Sequence, residues 1–428
     1  VPEGETGGLN LPADSLSGDN LTVVDVDVLD DHNARVVVRA DVNGEPMSLQ
    51  VPVYSDGDAL VLSGGPALMA APAQAELPQA QSYDTDEQAA LRQSVAALLE
   101  KKSDSAAVRA AMTSADGFDT ALWSTLVEQI GAAALSIPEE YDGAGATWVE
   151  THLVCEELGR RLTPSPMLGS AVLAAQAILA SGDAEAAARL LPGIAAGEQV
   201  ALCWAGTDGW STPGVSADSS AGADSPTADI ASLTGTAHHV LGADTASTLL
   251  VVAVTGETVG LFELPADADG VVATRVPVMD PTRTLARVEF SGATATVIGT
   301  RDSFLSRVRA AGWAAISAEQ IGAARAILDA TVQYTQERKQ FGRVIGSFQA
   351  LKHRMADMYV KVETARSLSY SAAALVAEAR AVESEQGPGP ASDAAAYAAE
   401  IEAASAKVYC SEALQWITGE AIQLHGGV

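Results

Sequence analysis

From about Ser303 to Ile422 apolar residues recur at helical spacing with only two interruptions. This constrains the fold more than any other feature. Ile321, Ala324, Ile327, Leu328, Thr331 and Val332 fall on one face, and Leu351, Met355, Met358 and Val362 fall on one face of the next segment. The breaks are the basic stretch around Arg338–Gln349 and Gly387-Pro388-Gly389-Pro390. A last helix is expected over roughly Asp393–Ile422. Long helices joined by short breaks must fold back on one another, so the end of the chain reads as a layer of antiparallel helices.

The rest of the chain changes period three times. Val23–Val28 alternates polar and apolar residues, and Arg35–Val42 and Ser48–Val53 read as further strands about an Asn43-Gly44 turn. An Ala/Pro-rich linker closes this small β segment, residues 1–82. At Asp84 and Thr85 N-cap oxygens stand three residues ahead of Glu87 and Gln88, a capping-box pattern. Helical patterns then run over Leu122–Ile130, Val149–Leu162 and Ala171–Leu191, giving a helical domain over 84–198. Strands are expected at Val200–Trp204, Ser247–Val254, Val259–Glu263 and Arg287–Phe290, giving a β domain over 199–300. Within it, Ser211–Asp229 has almost no bulky residue and reads as a disordered surface insertion. Residues 301–428 form the helical bundle. The fold class is α+β and multidomain.

Charge and cysteine usage exclude several function classes. The net charge is −30, which repels phosphate backbones and anionic membrane surfaces. No apolar run reaches the roughly 20 residues that span a bilayer. Three scattered cysteines, Cys155, Cys203 and Cys410, make neither a disulfide framework nor a zinc cluster and fit a reducing cytoplasm. No nucleotide-binding glycine motif and no His-Glu-x-x-His occurs, and His238-His239 reads as ordinary structure. His425-Gly426-Gly427 is not supported as a lipase-type oxyanion loop, because the matching serine elbow is missing.

One block carries chemistry. Glu337-Arg338-Lys339-Gln340-Phe341-Gly342-Arg343 and the following Phe348-Gln349 place a basic knot at a helix–turn–helix junction of a very acidic chain. Arg338 can grip phosphate through two parallel hydrogen bonds. Phe341 and Gln349 offer an apolar face and an amide to a ring system, and Gly342 and Gly346 let the backbone approach a ligand. A charged inter-helix turn with no ligand is the plainer alternative.

Arg338, Phe341, Gly342, Phe348 and Gln349 resemble the R-x-x-F-G signature of the acyl-CoA dehydrogenases. Ala421–Gly427 resembles the same family's Q-x-x-G-G segment, about 80 residues downstream. Ile137–Gly145 resembles its P-E-x-x-G-G-x-G loop, with Asp142 where Gly is usual, and Glu156-Glu157-Leu158-Gly159 follows. Thr282–Leu285 and Val288–Phe290 are similar to its β-domain ending. The resemblance covers Asp84–Val428 and implies an all-α domain, a central β domain and a C-terminal four-helix bundle. It implies FAD between the β domain and the bundle, completed by a neighbouring subunit. Arg338, Phe341 and Gln349 would bind its pyrophosphate and adenosine part, and Gln423, Gly426 and Gly427 its adenosine end.

The implied reaction is α,β-desaturation of an acyl-CoA thioester, with electron-transfer flavoprotein or a similar acceptor, in a homo- or hetero-oligomer with Arg338 at the subunit boundary. Alternatives are a base-lacking, FAD-holding partner subunit and a related flavin oxidase or monooxygenase. Two departures bear on this. The family's flavin-contacting β segment is replaced by Leu202–Ser211, where Trp204 reads as core sooner than as a flavin stack. The usual catalytic Glu is expected about two dozen residues beyond the glycine pair, past Val428. The alternative base position falls on Gly312, with Glu319 a weak candidate and otherwise a polar residue at a subunit or flavin-facing surface.

Overall fold

The computed structural model describes residues 84–219, 230–299 and 304–426, together with the backbone of four strands nearer the N-terminus. The chain separates into two units, Val1–Tyr83 and Asp84–Val428. The first unit holds a four-stranded antiparallel meander: β1 (Leu21–Val28), β2 (Asn33–Val42), β3 (Glu45–Asp56) and β4 (Ala59–Leu62). Val42 pairs directly with Glu45. The Asn43-Gly44 turn and the Ala/Pro linker lie outside the described residues.

The second unit opens with six α-helices: α1 (Asp86–Lys102), α2 (Ser105–Met112), α3 (Thr120–Thr125), α4 (Trp148–Arg161), α5 (Ala175–Ser181) and α6 (Ala184–Ala195). Thr85 caps α1, its hydroxyl accepting from the Gln88 amide at 3.2 Å while the Gln88 side chain accepts from the Thr85 amide at 2.9 Å. The expected single helix over Ala171–Leu191 is divided. A wide π-type turn over Met167–Ala174 leads into α5, Gly182 ends it in a left-handed conformation, and Asp183 caps α6. In the 137–145 loop Asp142 has φ +60°, so the residue standing where Gly is usual still adopts the conformation Gly favours. Aspartate is among the few side chains that tolerate it. Gly143 packs so tightly that an added Cβ would lie 2.0 Å from the Ile137 carbonyl oxygen.

The β region holds β5 (Val200–Cys203), β6 (Ala205–Gly206), β7 (Gly209–Pro213), β8 (Val215–Ser219), β9 (Ile230–Leu241), β10 (Thr248–Thr255), β11 (Thr258–Pro265), β12 (Val271–Val276) and β13 (Leu285–Ile298). Strands run in the order β11-β10-β8-β9-β13-β12, and β11 also pairs with the end of β13, which closes the sheet on itself. Leu233, Leu249, Val251, Phe262, Val288 and Phe290 fill its interior. The expectation of disorder over Ser211–Asp229 is corrected for its first half: Ser211–Pro213 and Val215–Ser219 are strand residues. Small side chains hid the period, yet Val215 and Ala217 are buried and alternate with exposed Ser216 and Asp218. Residues 220–229 lie outside the described residues. β9 and β12 escaped the periodicity reading. β9 carries Gly235 and a His pair, and its pairing with β13 slips at two irregularities.

Three long helices follow: α7 (Phe304–Glu337), α8 (Gln349–Gln386) and α9 (Pro390–His425). Their buried faces are rich in alanine, including Ala314, Ala315, Ala318, Ala372, Ala403 and Ala406. Small residues let the axes approach, and α4 and α7 come into close contact at two glycines. An added Cβ on Gly322 would lie 2.0 Å from the Glu156 carbonyl oxygen, and one on Gly159 would lie 2.2 Å from that of Glu319. No helix among the described residues is long and apolar enough to cross a membrane.

Candidate functional site

Where α4, β9, the loop before β13, α7 and α9 face one another, a cavity of about 400 Å³ opens. That size is in the range of small-molecule and cofactor sites. Leu158, Leu162, Leu168, Leu285, Ile316 and Leu414 supply apolar walls. The polar residues lining it include His239, Asp280, Arg283, Glu319 and Gln320. Arg283 reaches from the loop before β13 to form a close ion pair with the Glu319 carboxylate on α7. The Glu319 charge holds the guanidinium pKa above its ordinary value against the opposing effect of burial. Behind them, burial pushes the Cys155 thiol well up, with the Glu319 charge adding to it, so this cysteine stays a neutral core group.

The carboxylates on this cavity are therefore Glu319 and Asp280. Glu319, the weak base candidate and otherwise a polar helix residue, is engaged by Arg283. It lies seven residues from Gly312, about 10 Å of helical rise. Gly312 carries no carboxylate, and an added Cβ there would lie 2.8 Å from the Leu173 side chain. Gln320 gives one amide N–H to Ser411 Oγ at 2.9 Å. Its buried Oε1 has no hydrogen-bond partner among the described residues. A buried acceptor left unpaired costs about 1–3 kcal/mol, so a ligand bearing hydroxyl or N–H donors fits this wall. FAD carries both beside a ring system that suits the leucine walls, and the residues present are compatible with it.

Trp204 is 2% exposed and packs in the core. Its ring meets Trp210 edge-on with centroids 4.6 Å apart. It is a core residue, and Thr207 and Ser211 nearby are exposed.

The motif residues Arg338, Phe341 and Gln349 do not line the cavity. Arg338 and Phe341 stand at the far end of α7, at a two-stranded hairpin of β14 (Lys339–Gln340) and β15 (Arg343–Val344), and Gln349 opens α8 just beyond it. Phe341 and Gly342 form its two-residue turn with φ +54° and +79°, the geometry in which both turn positions are left-handed. Phe341 is 91% exposed. Arg343 lies 3.9 Å over the Phe348 ring. Arg338, Lys339 and Arg343 make no ion pair among the described residues.

The glycines of this block also shape the chain. Gly342 makes the turn, and Gly346 lets the chain pass Thr335, whose carbonyl oxygen would lie 2.9 Å from an added Cβ. The end of α9 reaches the end of α7. Tyr334 stacks on His425 with centroids 4.3 Å apart, and its hydroxyl donates to the His425 carbonyl at 3.1 Å. Gln423 and Gly426, exposed, thus belong to the same end of the bundle as the Arg338 turn. Gly427 lies outside the described residues. Arg283, Gln320 and His239 went unread as site residues. Arg283 was legible only as part of the β-domain ending, since nothing local links it to a carboxylate 36 positions on.

Comparison with known proteins agrees with this architecture. Residues 85–198 match the family model described as the acyl-CoA dehydrogenase N-terminal domain, and residues 310–428 the one described as its C-terminal domain. The chain is 38% identical over 344 residues to "Acyl-CoA dehydrogenase IpdE2" of Mycolicibacterium smegmatis, covering 80% of this chain and 88% of that protein. It is similar to a chain of the ChsE4-ChsE5 complex from Mycobacterium tuberculosis, with TM-score 0.68, 26% identity and coverage of 80% and 87%. An acyl-CoA dehydrogenase complexed with FAD from Bacillus anthracis, 19% identical with TM-score 0.72 and coverage of 81% and 61%, shares the fold. With both halves of the helical architecture matched and a relative at this identity across most of its length, the chain belongs to the acyl-CoA dehydrogenase family.

Proposed function

We propose that the chain binds FAD and takes part in α,β-desaturation of an acyl-CoA thioester, as a subunit of an assembly that passes electrons to electron-transfer flavoprotein or a similar acceptor. Family membership makes it an oxidoreductase of the acyl-CoA dehydrogenase type. The observation that carries the FAD reading is the Arg338 hairpin: a cationic, aromatic-bearing turn with no ion pair among the described residues, in a chain of net charge −30. Arg338, Phe341 and Gln349, with Gln423, Gly426 and Gly427, would hold the pyrophosphate and adenosine part. The cavity between β9, the Arg283 loop and α7 would take the ring system. Because the hairpin residues do not line that cavity, a single chain need not supply both ends, and a neighbouring subunit would complete each site.

When bound, FAD supplies the hydride acceptor of the reaction. The chain's own residues bind and orient it. Arg338 would neutralise the pyrophosphate, Gln320 Oε1 would accept from a ligand hydroxyl or N–H, and the leucine walls would exclude water. Proton removal needs a carboxylate within about 2.6–3.2 Å of its target or one water away. Of the two carboxylates on the cavity, Glu319 is engaged by Arg283 and Asp280 lies on the loop before β13. A second reading is an FAD-holding partner subunit that completes a site on another chain. The ChsE4-ChsE5 relative is itself a complex of two different chains.

The experiment is to purify the chain alone and with candidate partner chains, add FAD, and record flavin absorbance and fluorescence. Retained flavin supports the binding role, and a well-folded protein that takes up no flavin in any assembly refutes it. Bleaching by acyl-CoA only when a partner is present selects the second reading over the first.

A further inference from the structure

A second cavity lies apart from the site above, where α5 meets the start of α7, the end of α8 and the start of α9. It is smaller, about 60 Å³. Leu179, Ala180, Ala310, Val376, Ala396 and Ala399 contribute apolar walls, and two guanidiniums and a carboxylate share it with them: Arg307, Arg380 and Glu383. Arg307 is already compensated, 3.4 Å from Glu383 and 3.1 Å from Asp393. Its Nε is nevertheless buried with no hydrogen-bond partner among the described residues. Arg380 donates from Nη2 to the Ser136 carbonyl at 2.6 Å and makes no ion pair among the described residues. Burial lowers its pKa to about 10, and the field of Glu383 offsets this only in part.

A guanidinium largely withdrawn from water and without an ion pair is costly, and it carries five donors of which Arg380 uses one here. Glu383 and Asp393 already offset Arg307, which leaves Arg380 as the cation of the pair with no carboxylate partner among the described residues; one negative charge pairs with it, while Glu383 disfavours a second. The apolar walls are wasted on a bare ion but fit a short hydrocarbon. The volume, equivalent to a few waters, limits that hydrocarbon to about two to four carbons.

We propose that this cavity binds a short aliphatic monocarboxylate, with its carboxylate on Arg380 and the free Nε of Arg307 and its methylenes against the alanine, leucine and valine wall. The site stands independently of the FAD reading, since it uses none of the same residues.

Calorimetric titration and thermal melting of the full chain with butyrate, chloride and inorganic phosphate at matched ionic strength test it. Saturable one-to-one binding of butyrate, tighter than that of chloride or phosphate, is expected. Arg380→Gln should weaken it about 10-fold or more, because a charge-assisted pair is lost. Ala396→Leu, which leaves both arginines and fills the wall, should weaken butyrate binding without depending on the loss of any charge. Arg380→Lys serves if the glutamine variant does not fold, and should retain part of the affinity. The proposal is overturned by no saturable butyrate binding, by chloride or phosphate matching butyrate, or by butyrate affinity indifferent to both Arg380→Gln and Ala396→Leu.

Discussion

Two arginines of this chain stand in opposite settings. Arg92 on α1 is wrapped by acids. Its Nε lies 2.7 Å from Asp84, and its Nη1 lies 3.0 Å from both Glu156 and Glu157. Its Nη2 donates to Tyr370, whose hydroxyl donates in turn to Glu156 at 3.0 Å. Burial alone would lower the Arg92 pKa, but Asp84 and Glu156 hold it above the ordinary value. Arg338 on the hairpin has solvent around it and no carboxylate partner among the described residues. The first arginine has spent its donors on joining α1, α4 and α8. The second keeps them for something outside the chain. In a protein with 55 acidic residues against 25 basic ones, an arginine without an acid is the rarer case and points to a ligand or a partner.

The comparison breaks first at Arg92. Arg92→Met should destabilise by about 3–5 kcal/mol in denaturant unfolding, because Glu157 stays buried without its cation and Glu156 keeps only the more distant Arg366. A loss below 1 kcal/mol would mean the network is surface-like and the contrast with Arg338 is false.

His152 sharpens it next. It lies fully buried beside this network, its Nε2 2.8 Å from Ser369 Oγ, and burial holds its pKa down to about 4. Unfolding frees the ring to titrate near 6.5, so its contribution to stability is intact above pH 6.5 and is lost as pH falls towards 4. His152→Asn should flatten the acid limb of the stability curve over that window by about 2–3 kcal/mol relative to wild type. Glu157 works in the opposite sense. Burial raises its pKa against the pull of Arg92, so its contribution is present below 4.5 and is lost as pH rises through the raised value. Parallel pH profiles for wild type and His152→Asn would remove the histidine from the account.

Gly322→Ala probes the frame between the two arginines. With the Glu156 carbonyl 2.0 Å from the new Cβ, α4 and α7 must separate, at a cost of about 1–3 kcal/mol. A melting temperature equal to wild type would show the crossing is loose.

The smallest effect on stability belongs to Arg338→Ala, expected within about 0.5 kcal/mol of wild type. Its effect should appear in FAD affinity instead, as a loss of about 1.5–3 kcal/mol. Unchanged affinity measured by flavin fluorescence would remove the role given to Arg338.

Much of the fold was written locally. The Thr85-x-x-Gln88 box, the turn after Glu337 and the long helical periods of α7, α8 and α9 each depend on neighbours a few residues away, which is why a reading by pattern finds them. β8 and β9 were harder. Their small and polar residues carry little period, and their burial comes from closing the sheet with β13. The recognisable motif residues were legible as a set, but their arrangement was not. Arg338 and Gln423 share one end of the bundle only because α7 and α9 end together at Tyr334 and His425.

By itself the sequence determined the long helices, several of the strands and the family, because these rest on local spacing and on side-chain chemistry. The tertiary structure decided which charged groups are spent. Arg92 faces Glu156 and Glu157, and Glu319 faces Arg283, through contacts that span tens of residues. The tertiary structure also left Arg338 facing outward. Whether a charge is compensated depends on what the fold brings within a few ångströms of it, since the Coulomb energy and the cost of lost hydration both depend on position in space and not on position in the chain.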